Sequence, residues 1–375
     1  MTSKKLSILA VVALLAVVAG LWLGGRQTSP ASSEAATLYP DLKKELGSIT
    51  DLRIVKAGGT PALEVKKGDN GWVVVDRHNY PADEAKLRKL ITSLTEAKVL
   101  EEKTSNPESY KALGVEDISN AAAGGVQLEL DGPKQPIKVI VGKQAQGAQS
   151  QYVRRAGEPK SWLVNKSIDT SSSADQWLRK DVIDVSADRV QSAEVTVEKS
   201  KPYSVSKKTR ADADFAVEGL PKGKELSSPS AADNFATALA GLTLSDVKAA
   251  SEVTDPPSAR ATIRTFDGLV TEVTGWKKDD KHFVALKTSY DAALADKFKV
   301  ATADTEKKDA PADAAKKEGE GAPPAADKPA EAKPAARNVE EESAKANAQL
   351  NGWVYEVPAY KYDAIFKPLD ELIKK

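Results

Sequence analysis

The sequence predicts an α+β protein: a tandem repeat of two mainly antiparallel sheet units, each with one or two packed helices, after a single N-terminal transmembrane helix. Three observations predict it. Residues Leu6 to Gly25 form an uncharged apolar run. Short β-branched and aromatic runs bounded by Gly, Pro, Asp and Asn recur through the remainder. The order of strands and one helical stretch found between Ile49 and about Val185 then returns between Val190 and Lys375. Two ordinary α+β domains that match by chance are the alternative to a true duplication.

Lys4 and Lys5 precede the apolar run, whose length of about 20 residues suits a hydrocarbon core. Arg26 and Gln27 follow it directly, and the nearest small-residue cleavage site, Ser33 to Ala36, lies well downstream. The run therefore reads as an uncleaved anchor at 6–25 instead of a signal peptide. The two lysines place residues 1–5 in the cytoplasm and the bulk of the chain outside, and Trp22 suits the outer interface. Residues 26–46 read as a stalk: Gln27 to Thr37 is rich in Ser, Ala and Pro, and Tyr39 to Leu46 reads as a helical turn leading into the first unit.

The first unit, 47–186, opens with three strand patterns, Leu52 to Val55, Ala62 to Val65 and Gly71 to Val75. A helix follows, capped by Asp83, with Leu87, Leu90, Ile91 and Leu94 at i, i+3, i+4 and i+7 on one face. Strands resume at Val126 to Leu130, Ile137 to Val141, Gln151 to Arg154 and Ser161 to Val164, and a short helical segment at Ala174 to Leu178 closes the unit.

In the second unit, 187–375, the strand patterns are Ala193 to Val197, Tyr203 to Val205 and Phe215 to Val217. A helix capped by Ser230 repeats the earlier spacing through Phe235, Ala238, Leu239 and Leu242. Ala261 to Phe266, Val270 to Val273, His282 to Leu286 and Trp353 to Val357 are strands, and a terminal helix covers Tyr362 to Ile373. Between the last two strands, at about 291–350, the composition shifts to Ala, Lys, Glu, Asp and Pro, with few aliphatic residues larger than Ala. Such a segment buries too little apolar surface to offset its ordering entropy, so a disordered insertion is expected, with a weak helix at Asn338 to Leu350. It replaces the turn Ala156 to Lys160 of the first unit and acts as a solvated spacer or a tether.

Composition excludes several function classes. Lys and Arg total 54 against 54 Asp and Glu, which argues against a nucleic-acid binder that works by phosphate neutralisation. No cysteine is present, which removes a disulfide framework, a thiolate metal site, a cysteine nucleophile and a lipoprotein attachment residue together.

Gly71-Trp72, Pro81-Ala-Asp83, the turn Tyr110-Lys-Ala-Leu-Gly-Val115, Val141-Gly142 and the hairpin Tyr152-Val-Arg154 with Trp162-Leu-Val164 come in a distinctive order. In that order the chain resembles a bacterial membrane-anchored family of unknown function, well over about residues 48–180 and loosely beyond. Its turn reads Leu113-Gly114-Val115 where the family more often has Gly-Leu. Family genes often lie beside those of gliding-motility-type ABC-2 exporters. The resemblance thus implies an accessory protein of the bacterial inner membrane, single-pass, with a periplasmic bulk and an ABC permease and ATPase as partners.

Candidates for chemistry are few. His78 and His282, the only histidines, lie in different units without a nucleophile elbow or a His-x-x-His spacing, and read as surface residues. Gly142-Lys-Gln-Ala-Gln-Gly147 lacks the Gly-Lys-Ser/Thr ending of a phosphate loop, and Asp212-Ala-Asp-Phe215 lacks the glycine and distal glutamate of a calcium loop. Asn165-Lys-Ser167 matches a glycosylation sequon. Trp72, Trp162 and Trp353 fall in strand patterns and read as core, with Trp177 near a helix and Trp276 beside a lysine-rich turn. No catalytic, cofactor or metal residue is assigned. The expected function is therefore a non-enzymatic, membrane-anchored extracytoplasmic accessory or scaffold. The alternative is a periplasmic ligand- or glycan-binding protein whose exposed tryptophans stack on sugars, and a hydrolase ranks last.

Overall fold

The structure, a computed structural model, describes residues 36–146, 149–299 and 338–374. The apolar run at 6–25, residues 26–35 and most of the Ala/Lys/Glu/Pro-rich insertion lie outside them. Among the described residues no helix is long and apolar enough to cross a membrane. The chain forms two compact units. One comprises Glu84–Ser173 and the described residues up to Val73; the other comprises Val74–Asp83 and Ala174 onward. Residues 174–186, expected to close the first unit, belong to the second, where Trp177 and Leu178 are fully buried.

In the first unit β1 (Asp51–Lys56), β2 (Thr60–Gly68), β3 (Gly71–Val74), β5 (Val99–Thr104), β6 (Val126–Asp131), β7 (Ile137–Gln144), β8 (Gln151–Arg155) and β9 (Ser161–Val164) lie in the order β3-β2-β1-β6-β7-β8-β9-β5. Antiparallel ladders join them from β2 through to β5. The two-residue period decides which side chains are inside. Leu52 and Ile54 are fully buried, while Arg53 between them turns to the other face, 3.2 Å from Glu129 Oε2 and 2.5 Å from Asp131 Oδ2. Helix Glu84–Thr95 covers the core face through Leu87, Leu90 and Leu94. Each leucine so buried contributes about 1.5–3 kcal/mol, which sets the orientation of this helix. The fourth stripe residue, Ile91, is half-buried.

The second unit holds β4 (Tyr80–Pro81), the pair β10 (Asp181–Ile183) with β14 (Leu242–Thr243), and a larger sheet. That sheet contains β11 (Val190–Val197), β12 (Tyr203–Ser206), β13 (Ala216–Glu218), β15 (Asp246–Ala249), β16 (Ala259–Thr265), β17 (Leu269–Lys278), β18 (Lys281–Tyr290) and β19 (Trp353–Val357). Its order is β13-β12-β11-β16-β17-β18-β19-β15, antiparallel throughout. Adding ten to each strand number of the first order yields the second.

Three expected elements differ. The helix expected after Ser230 is a single α-turn, Asn234–Thr237, without a side-chain cap. Phe235, Ala238, Leu239 and Leu242 are all buried as expected, but Leu242 pairs as strand with Ile183. The cause is local: Asp233 Oδ1 accepts from Phe215 N, Asn234 Nδ2 donates to Ala364 O, and Gly241 turns left-handed at φ +52°. The terminal helix runs Ala359–Ile365 and stops before Pro368, which has no amide hydrogen to continue it. At the start of the expected disordered insertion, residues 292–299 are helical, whereas at its end the expected helix is present as Val339–Leu350, capped by Asn338, whose side chain accepts from Glu341 N at 3.2 Å.

Candidate docking cleft and the module behind it

Three of the resemblance motifs, the turn Tyr110 to Val115, Val141-Gly142 and the strand at Tyr152 to Arg154, meet in the first unit, while Pro81 to Asp83 belongs to the second. Tyr110–Leu113 is a single helical turn ended by Gly114 in the left-handed region, φ +70°. Tyr110, Val115 and Ile140 form a buried cluster, with Leu113, Tyr152 and Ala156 packed against it. The turn lies so close to the sheet that a Cβ on Gly142 would stand 2.4 Å from Leu113 O, and one on Gly125 would stand 2.2 Å from Gly114 O. Glycine is therefore needed at both positions for the contact itself.

Arg154 holds this module together. Its side chain is 3% exposed. Nε donates to Val115 O at 2.7 Å, Nη1 donates to Glu158 O at 2.9 Å, and Nη2 faces Asp117 at 3.4 Å without hydrogen-bond alignment. The guanidinium lies 4.7 Å from the Tyr110 ring centre, and Tyr110 Oη donates to Pro159 O at 2.5 Å.

The next residue, Arg155, points to the opposite face by strand alternation and lines a cleft of about 950 Å³. Residues 39–45, the turn 133–138 and Glu158 complete its walls. The segment at 36–48 forms one wall because it is built into the unit: Thr37 bridges Lys98, Leu38 N donates to Ala97 O, and Leu38 and Leu42 are buried. Arg155 Nη2 donates to Leu38 O at 2.5 Å, and its guanidinium sits 5.2 Å from the rings of both Tyr39 and Trp162. Burial pushes the Tyr39 hydroxyl far above its ordinary value; nearby Arg155 only partly opposes this. Lys44, Lys134 and Lys138 with Arg155 stand against Asp41, Glu45 and Glu158, so the walls carry both signs. An open trough with mixed charge, and with Pro40, Pro133 and Pro136 as stiff rims, suits an extended polypeptide.

A depression of about 480 Å³ in the second unit is closed on itself electrically. Arg189 at its base is 4% exposed and pairs with Glu342 at 2.7 Å and Asp267 at 2.8 Å, while Lys345 pairs with Glu341 at 2.6 Å. Burial alone would raise the Asp267 carboxyl, but hydrogen bonds from Thr265 and Arg189 outweigh it and hold it below the ordinary value of 3.8. Because the folded value is the lower one, the stabilisation is complete above the unfolded value and is lost as pH falls through the folded value. Acid titration below about pH 4 should lower the melting temperature, and Asp267→Asn should flatten that dependence; an unchanged slope would show that another group carries it.

The remaining candidates are placed as follows. His78 adopts a left-handed turn, φ 55°, 3.2 Å from Glu252, and the His282 ring lies 5.0 Å from that of Tyr362. Among the described residues no group of three or more His, Cys, Asp or Glu is arranged to hold a metal ion. Gly142 lies inside β7, and Gly147 falls outside the described residues. Asp212 accepts from Lys208 N, Thr209 N and Thr209 Oγ1, folding its turn upon itself. Asn165 Oδ1 accepts from Lys98 N at 2.8 Å. Trp72, Trp162 and Trp353 are half-buried, a correction to their reading as core; the fully buried tryptophan is Trp177. Trp353 meets Tyr80 edge-on at 5.0 Å, and Trp276 Nε1 donates to Asp255 O. Sequence reasoning passed over Arg155 and the 39–45 wall; Leu38 and Leu42, four residues apart and flanking Tyr39-Pro40-Asp41 in a stalk-like run, were the available signal.

Residues 72–262 match a family described as Domain of unknown function (DUF4340). No curated protein matches, and no solved structure does.

Proposed function

The chain belongs to the DUF4340 family, and on that premise we propose that it is a non-enzymatic, membrane-anchored extracytoplasmic accessory or scaffold protein of an ABC-type transporter or a related envelope complex. The observation that carries the reading is the attachment of the tether. The chain enters the first unit at Thr37 as part of the fold, and its bound segment forms a wall of the cleft of about 950 Å³. Residues 26–35 are all that separate the described part of the chain from the apolar run. Ten residues span at most about 35 Å, so the cleft is held near the membrane surface, where a permease presents its loops. The shared strand order supports an internal duplication, with the second sheet built on the same plan and the insertion at 291–350 added between its last two strands.

Crosslinking in the native membrane, followed by mild solubilisation, affinity capture and mass spectrometry, tests the assignment. An ABC permease and ATPase should be enriched with the full chain and lost with an exported form lacking 1–35. The double variant Lys44→Glu/Lys134→Glu, both side chains being exposed, should reduce capture at least about fivefold with a shift in stability of only about 0.5 kcal/mol. Recovery of cell-wall glycan without a transporter would replace the reading with the glycan-binding one.

A further inference from the structure

Strand β18 outruns its neighbour. It pairs with β17 from Lys278↔Lys281 to Leu269↔Tyr290, whereas β19 pairs only with His282, Phe283 and Val284. Ala285 to Tyr290 therefore lack a strand partner on that side among the described residues. A two-residue turn with left-handed Asp279 and Asp280 fixes the hairpin register. Alternation then directs the main-chain N–H and C=O groups of Leu286, Thr288 and Tyr290 away from β17, to the open side.

Helix Val339–Leu350 closes that side with a side chain. Asn347 Oδ1 accepts from Thr288 N at 2.7 Å and Asn347 Nδ2 donates to Thr288 O at 2.5 Å, so one amide reproduces the pairing of a strand. Covering an exposed edge with a helix is a familiar protection against unwanted strand pairing. The seam is unusual in being largely polar. Arg189 forks onto Glu342 at 2.7 and 3.0 Å, Thr288 Oγ1 donates to Ser343 O at 2.9 Å, and Tyr355 Oη donates to Gln349 O at 3.3 Å. The large apolar side chains that the helix buries are Val339 and Leu350, one at each end. Helix Glu84–Thr95 by contrast buries three leucines. A polar seam exchanges its hydrogen bonds for those of water at small net cost, whereas an apolar one does not. Beyond Leu350 the chain passes through Gly352, φ +86°, whose surroundings are open, which gives the helix a pivot.

We propose that helix Val339–Leu350 is a detachable edge guard: it leaves the sheet while the rest of the second unit stays folded, and its departure bares the β18 edge at Leu286 to Tyr290. A bared antiparallel edge is the surface on which strand addition by a partner operates.

Native-state hydrogen exchange on the full-length protein at low urea tests this. Amides of 339–350 and that of Thr288 should exchange at least about tenfold faster than those of β11 and β16, with little dependence on urea, as local opening does. Asn347→Ala should accelerate both by about a further tenfold and leave β11 and β16 unchanged. Exchange of all four at one rate with one urea slope would make the helix an inseparable core element and overturn the proposal. So would opening of 339–350 with the Thr288 amide still protected.

Discussion

Arg154→Ala is expected to lower the unfolding free energy of the first unit by about 3–5 kcal/mol. Two carbonyls, Val115 O and Glu158 O, lose their donors, at about 1–3 kcal/mol each when left buried. The Tyr110 ring loses a cation at 4.7 Å, worth about 0.5–2 kcal/mol. Asp117, whose side chain is 65% exposed, is rehydrated and adds little. Arg154→Lys should recover only a small part, because one ammonium cannot reach two carbonyls from a planar fork. Urea unfolding gives the number, and a loss under about 1 kcal/mol would mean that water substitutes for the guanidinium.

The Arg154 module also shows why some of this fold was legible in the sequence. Tyr110, Gly114, Gly142 and Arg154 are spread over 45 positions, yet each is a residue type whose chemistry demands something: a left-handed turn, a close approach, a buried cation. Strands with strict alternation, such as β16 and β17, were equally readable because one face is buried. The unread strands are those at the edges. β5, Val99–Thr104, has Leu100, Glu101 and Glu102 exposed and buries none of its residues fully, and β15, Asp246–Ala249, buries Val247 alone among its four residues. An edge strand is stabilised by pairing and protected by charge, so it shows little alternation to read.

The cleft and the edge guard were hidden for a different reason. Arg155 adjoins the motif residue Arg154, but its role depends on Leu38 and Tyr39, which are 117 and 116 positions away and look like stalk. Helix Val339–Leu350 is expected as a weak helix at the end of a low-complexity spacer, but its docking is not, because that docking is polar. Ser343, Asn347 and Glu342 are residues that a hydrophobic pattern search passes over, and only Thr288 and Arg189 opposite them give those side chains meaning.

Gly142→Ala should cost about 3 kcal/mol, at the upper end of the overpacking range. The added Cβ would stand 2.4 Å from Leu113 O, 2.9 Å from Gly114 O and 2.8 Å from Val115 Cγ1. Two of these three atoms are backbone, so no rotamer change relieves the clash. The strand cannot retreat either, since Val141 beside it is paired with Val126 on one side and Val153 on the other. The turn must lift instead, which separates Tyr110 and Val115 from Ile140. Gly47→Ala is the matched control: nothing lies within 4 Å of its Cβ and its φ is not positive, so its effect should stay within about 0.5 kcal/mol. Gly125→Ala presses on the Gly114 carbonyl from a third direction, so combining it with Gly142→Ala should cost less than the sum of the two, the turn having already lifted. Additive costs in urea unfolding would instead place the two clashes in independent parts of the unit, and the module would then not be the single packed block that its shared carbonyl implies.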